Sequence, residues 1–127
     1  MARILIIDDV PGVRRSIAAL LSRNGHEVEL VDNGRDGVQL ARSNKPDLIF
    51  VDMLMPGQDG VETLEQLRGE GLGSKTVAMS GGGSLVGREE ALSLGAALAD
   101  ASLVKPFENS EILTLVDRLT TTSVAHI

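Results

Sequence analysis

Leu48-Ile49-Phe50-Val51 is an uninterrupted apolar run that passes straight into Asp52 and then, through Met53-Leu54-Met55, into Pro56-Gly57. A short apolar run without alternation, closed by turn residues, is the pattern of a parallel strand covered on both faces. No other feature limits the fold as much, because such a strand needs helices above and below its sheet. It also sets Asp52 at the strand's C-terminal edge, where open α/β sheets bind their ligands. A lone Asp at this place could equally cap the turn that follows, so the remaining strands decide between the two.

Ile4-Leu5-Ile6-Ile7 is a second run of the same kind, and it ends in Asp8-Asp9. Pro11 suits the first turn of a helix; Val13, Ile17, Leu20 and Leu21 then recur at helical spacing as far as Asn24-Gly25, a left-handed stop. His26 to Val31 alternates in part and predicts a strand with no chemistry at its end. Arg35 to Ser43, with Val38 and Ala41 inward, predicts a second helix, and Asn44-Lys45-Pro46 a turn into the strand before Asp52. Val61, Leu64 and Leu67 mark a short third helix that dissolves into Gly69, Gly71 and Gly73. Thr76 to Met79 is a fourth strand ending in Ser80, followed by Gly81-Gly82-Gly83. Arg88 to Ala99 is Ala/Leu-rich and helical, and Ala101 to Val104 is a fifth strand ending at Lys105-Pro106. Ile112, Leu115, Val116 and Leu119 form one face of a last helix, after which the chain frays.

Five strands alternating with five helices predict a mostly parallel sheet joined by right-handed crossovers, with helices on both faces. Asp8-Asp9 must meet Asp52, so their strands are neighbours, as in the flavodoxin-like (βα)5 order 2-1-3-4-5. Strand two then falls at an edge, in keeping with its weak pattern. One domain fills the 127 residues, with 1–121 folded and 122–127 a short tail.

Composition narrows the function classes. With no Cys there is neither a disulfide framework nor a thiolate metal site. Arg3 and the four apolar residues before Asp8-Asp9 are too short a stretch for a signal-peptide core or a membrane span, and a cytoplasmic place is expected. Eighteen acids against twelve bases, without a basic run and with two aromatics, argue against direct nucleic-acid binding.

Three carboxylates crowded at one sheet edge repel one another unless a cation neutralises them. An all-oxygen set without His or Cys suits Mg2+ better than zinc. Lys105 and the Ser80 hydroxyl could hold phosphoryl oxygens, and Asp52, alone on its strand end, can serve as a nucleophile that forms an acyl phosphate.

Taken in order, Asp8-Asp9, Asp52 with Met55-Pro56-Gly57 and Asp59-Gly60, Ser80, and Lys105-Pro106-Phe107 make the chain resemble the receiver domain of two-component response regulators, in its stand-alone form. The resemblance covers nearly the whole length. It implies that Asp52 is phosphorylated by a histidine kinase or histidine phosphotransfer protein. It also implies that Asp9, Asp52 and the Leu54 backbone carbonyl ligate Mg2+, with Asp8 acting largely through water. Ser80, Gly81 and Lys105 would bind the phosphoryl group, the Lys105-Pro106 peptide would be cis, and the first helix would help to dock the phosphodonor. The implied role is signalling, by docking to a downstream protein target or by relaying the phosphate, rather than catalysis on outside substrates. Two departures stand out. Ser102 lies where most relatives carry Tyr or Phe, and the segment from Ser80 to Lys105 is longer than usual around Ala97 to Ala101.

Two other classes are weighed against this one. A Mg2+-dependent aspartyl-phosphate phosphatase usually has a second Asp two residues after its nucleophile, and here that residue is Leu54. A receiver-like interaction module without phosphate turnover has no need to keep so many like charges together. Gly82 to Glu89 approaches a nucleotide-binding glycine loop, but Arg88 and Glu89 replace its Lys and hydroxyl residues. His26, His126 and the Arg14-Arg15 pair are expected to be solvated.

Overall fold

The computed structural model describes residues 1–53, 60–80 and 98–120. Its strands are β1 (Arg3–Ile7), β2 (Glu27–Val31), β3 (Leu48–Asp52), β4 (Lys75–Ser80) and β5 (Ala101–Val104). The helices among the described residues are α1 (Pro11–Arg23), α2 (Gly34–Asn44), α3 (Gly60–Glu70) and α4 (Asn109–Thr120). All strand pairs are parallel, in the order β2-β1-β3-β4-β5, as the convergence of Asp8-Asp9 on Asp52 requires.

The side chains of a strand alternate between faces, and here the alternation builds two cores. Ile4, Ile6, Leu48, Phe50, Val77 and Met79 pack with Ile17, Leu20 and Leu21 of α1 and Ile112, Leu115 and Val116 of α4. Leu5, Ile7, Ile49, Val51 and Ala78 pack on the other face with Val38 and Ala41 of α2 and Leu64 and Leu67 of α3. The unalternating apolar runs are thus two interleaved sets, one for each layer of helices. β3 lies at the centre with every residue buried, whereas β2, at the edge, leaves Glu27, Glu29 and Leu30 exposed.

Local chemistry fixes most boundaries. Pro11 opens α1, and Gly25 closes it at φ 86°. The Asn33 side chain caps α2 by accepting from the Asp36 N–H at 2.8 Å. At the other end Lys45, at φ 46°, returns its N–H to the Ala41 carbonyl at 2.8 Å. α3 runs through Gly69 to Glu70, two residues into the glycine-containing stretch where its pattern dissolves, because a single Gly is tolerated where a buried apolar face holds the helix. The helix expected from Arg88 lies, as far as residue 97, outside the described residues. So do the glycines after Ser80, Met55, His126 and the expected boundary at residue 121.

Candidate functional site

Register brings the acids together. Ile7 of β1 stands opposite Val51 of β3, so the next residues, Asp8 and Asp52, leave adjacent strands side by side. Both are buried, at 0% and 2% exposure. Asp9 follows on the turn, half-buried, and one carboxylate oxygen from each of the three lies within 4.8 Å of the others. Two unit charges that close repel by roughly 3–4 kcal/mol at an effective dielectric near 20.

The two later strands supply the counter-charge and the hydroxyl. β5 carries Lys105 just past its end, and the Lys105 N–H donates to the Ser80 carbonyl at 2.7 Å. Lys105 Nζ lies 3.0 Å from Asp8 Oδ2 and 3.6 Å from Asp52 Oδ2, with its side chain 16% exposed. One ammonium against three carboxylates leaves the cluster at about −2, which a single divalent cation would cancel. The Lys105-Pro106 peptide is cis.

Asp8 is tied down at every polar group. Its N–H donates to Val31 O at 3.1 Å, its Oδ1 accepts from the Val10 N–H at 2.8 Å, its Oδ2 faces Lys105, and its carbonyl accepts from Arg14 Nη1 at 2.7 Å. Asp9 differs. Among the described residues, two buried side-chain oxygens have no hydrogen-bond partner, Asp9 Oδ1 and Ser80 Oγ. Unpaired buried polar atoms are uncommon and mark places where an ion or ligand is missing. The oxygen-only donor set, its net charge and the orphaned Asp9 Oδ1 together fit a hard divalent cation.

Two residues expected to be solvated are engaged instead. Arg14 is half-buried and reaches Asp8. His26 is half-buried too, and its Nδ1 accepts from the Ala2 N–H at 3.0 Å, which ties the chain's start to β2. Nothing in the spacing of Arg14 marks it for the site, since its partner is a backbone carbonyl. Ser102 lies exposed on β5 opposite Ala78. Leu54 and Gly81, both expected at the site, are outside the described residues.

The model of the response regulator receiver domain matches residues 4–117. The chain belongs to that family. Among curated relatives, this receiver domain is 39% identical over 111 residues to the response regulator MprA of Mycolicibacterium vanbaalenii, covering 87% of this chain and 47% of that protein. It is 48% identical over 67 residues to the protein PilH of Pseudomonas aeruginosa, covering 53% of this chain and 55% of PilH. The chain therefore spans about half the length of the curated relatives it matches. A solved receiver domain of a sensor histidine kinase from Pseudomonas aeruginosa superimposes with a TM-score of 0.84 at 27% identity, covering 95% of this chain and 98% of the other. That structure holds a magnesium ion coordinated in its active-site cleft. No helix among the described residues is long and apolar enough to cross a membrane.

Proposed function

We propose that this receiver domain is a phosphoacceptor. Asp52 takes a phosphoryl group from a phosphohistidine on a histidine kinase or histidine phosphotransfer protein. The signal then passes to a downstream protein target, or the phosphate is relayed onward. The observation that carries this reading is the coincidence of the two orphaned oxygens, Asp9 Oδ1 and Ser80 Oγ, with the acid cluster and Lys105.

Asp8, Asp9 and Asp52 would hold Mg2+, joined by the Leu54 carbonyl as the family pattern implies. When bound, the metal neutralises the carboxylates and the incoming phosphoryl oxygens. An Asp52 carboxylate oxygen bonds to phosphorus as the P–N bond to the donor imidazole breaks, and the electron pair stays with the imidazole. Lys105, already 3.6 Å from Asp52 Oδ2, turns its ammonium to a phosphoryl oxygen. Ser80 Oγ donates to another, which gives its unpaired hydroxyl a partner, and the family pattern implies the same phosphoryl-binding role for Gly81. Ser102 provides no ring to follow Ser80, so the response travels without an aromatic rotation. The protein promotes only its own phosphorylation and dephosphorylation, and its place of action is the cytoplasm.

The donor's approach has a physical counterpart. An apolar groove of about 450 Å³ runs between α1 and α4, lined by Val13, Ile17, Pro106, Phe107 and Ile112, with Lys105 at its end. It suits the apolar face of a donor helix. Replacing Val13 by Glu should slow transfer from a phosphohistidine protein at least about tenfold, since a charge then faces an apolar helix. Phosphorylation by acetyl phosphate should be unchanged.

Incubation with acetyl phosphate and Mg2+, followed by intact mass and peptide mapping, tests the assignment. One phosphoryl group on Asp52, lost with EDTA and absent from Asp52→Ala, is the expected result. An Asp52→Ala protein phosphorylated at the wild-type rate would overturn it.

A further inference from the structure

Arg14 stands at a place where local rules disfavour it. It lies in the first turns of α1, whose first turn contains no acid and whose N-cap, Val10, makes no side-chain cap bond. A cation there opposes the helix dipole. What it gains is one short bond: Nη1 donates to the Asp8 carbonyl at 2.7 Å across six residues. That carbonyl belongs to the peptide joining Asp8 to Asp9. Two bonds brace this turn, from Arg14 to the Asp8 carbonyl and from the Val10 N–H to the Asp8 carboxylate Oδ1, and they constrain how the chain leaves β1 towards Asp9.

We infer that Arg14 is a positioning residue for the metal site, which orients the Asp8-Asp9 turn through the backbone without touching the cation. This rests on the phosphoacceptor reading, in which Asp9 is a ligand. Outer partners that orient metal ligands typically change affinity by about 10–100-fold when removed. Two mechanisms give opposite signs here. If Arg14 acted only as a nearby positive charge, its loss would tighten Mg2+ binding by relieving repulsion. If it positions Asp9, its loss weakens binding.

The test is Mg2+ titration of metal-stripped protein, followed by NMR or calorimetry, for wild type, Arg14→Met and Arg15→Met. Arg15 is exposed on the same helix turn, so its variant removes an equal charge without the carbonyl bond. Arg14→Met should bind Mg2+ about tenfold more weakly, and Arg15→Met as tightly as wild type or slightly more so. With acetyl phosphate, Arg14→Met should need about tenfold more Mg2+ for half-maximal rate yet reach a near wild-type rate at saturation. Melting in EDTA checks that Arg14→Met is folded. If it is not, Arg14→Lys takes its place, and a smaller loss of affinity in the same direction is expected. A wild type that binds no Mg2+ would overturn the phosphoacceptor reading and this inference together. Unchanged or tighter binding by a folded Arg14 variant, beside a wild type that binds, would overturn this inference alone.

Discussion

Asp9 and Lys105 pull the stability of the metal-free domain in opposite directions. Asp9 adds a third carboxylate within 4.8 Å of two others and leaves Oδ1 buried without a partner. Asp9→Ala should therefore raise stability in EDTA by about 1–2 kcal/mol, the scale of one unsatisfied buried acceptor. At this chain length that is a Tm rise of roughly 3–8 °C, accompanied by loss of Mg2+ binding. Lys105 is the ammonium paired with buried Asp8 and Asp52. Removing it takes the ammonium away from both buried acids, a loss of the kind that costs about 3–5 kcal/mol for a fully buried pair. Because Lys105 keeps some exposure, Lys105→Ala should cost about 2–3 kcal/mol in EDTA by thermal or urea melts, and Mg2+ should restore most of it. Three crowded carboxylates store like-charge repulsion that the proposed cation would relieve, and these two variants read that repulsion from either side.

Among the elements, close approach decides where glycine is needed. A Cβ on Gly60, at the start of α3, would lie 2.4 Å from Met53 Cα and 2.5 Å from the Asp52 carbonyl oxygen. Those are backbone atoms next to the proposed phosphoacceptor, and they cannot yield without moving the end of β3. A Cβ on Gly37 would meet Ile7 Cδ1 at 2.4 Å and Cγ1 at 2.7 Å, the outer part of a side chain that can change rotamer. Gly60→Ala should thus cost about 3 kcal/mol or more and Gly37→Ala about 1–2 kcal/mol in urea melts, with only the former impairing phosphorylation strongly. On the same face α2 and α3 are joined by Arg42 and Glu70, whose two hydrogen bonds measure 3.0 and 2.5 Å. The hydrogen bond from Arg42 holds the Glu70 carboxyl below its ordinary value of 4.5. The unfolded chain therefore takes up that proton first as pH falls. The contribution is complete above 4.5 and disappears as pH drops through the lowered value. Arg42→Ala should flatten the stability profile in that acid window, by a small amount that high salt diminishes because the pair is exposed.

For the whole molecule, Mg2+ binding to the folded state alone should stabilise it by about 2.7 kcal/mol at a hundred times Kd, a Tm rise of roughly 10 °C that EDTA reverses and Asp9→Ala abolishes. The layered fold that makes this coupling possible was largely legible in the sequence. Leu48 to Val51 and Ile4 to Ile7 carry the pattern of strands covered on both faces, and the polar residues at the ends of four of the five strands singled out Asp52, Asp8, Asp9, Ser80 and Lys105 before any contact was known. These signals are local, because side-chain alternation and turn chemistry act over a few residues. The extent of α3 through Gly69 was less legible, since burial of Leu64 and Leu67 against the sheet outweighs the propensity of one residue. Only the tertiary structure decided that Asp8 is held at every polar group while Asp9 Oδ1 is left unpaired, that Lys105 reaches both Asp8 and Asp52, and that Arg14 and His26 are partners rather than solvated surface. Composition and spacing determine which groups arrive at the sheet edge. Their pairing depends on distances between strands and helices far apart in sequence, and a backbone carbonyl such as that of Asp8 carries no side-chain signature by which its partner could be foreseen.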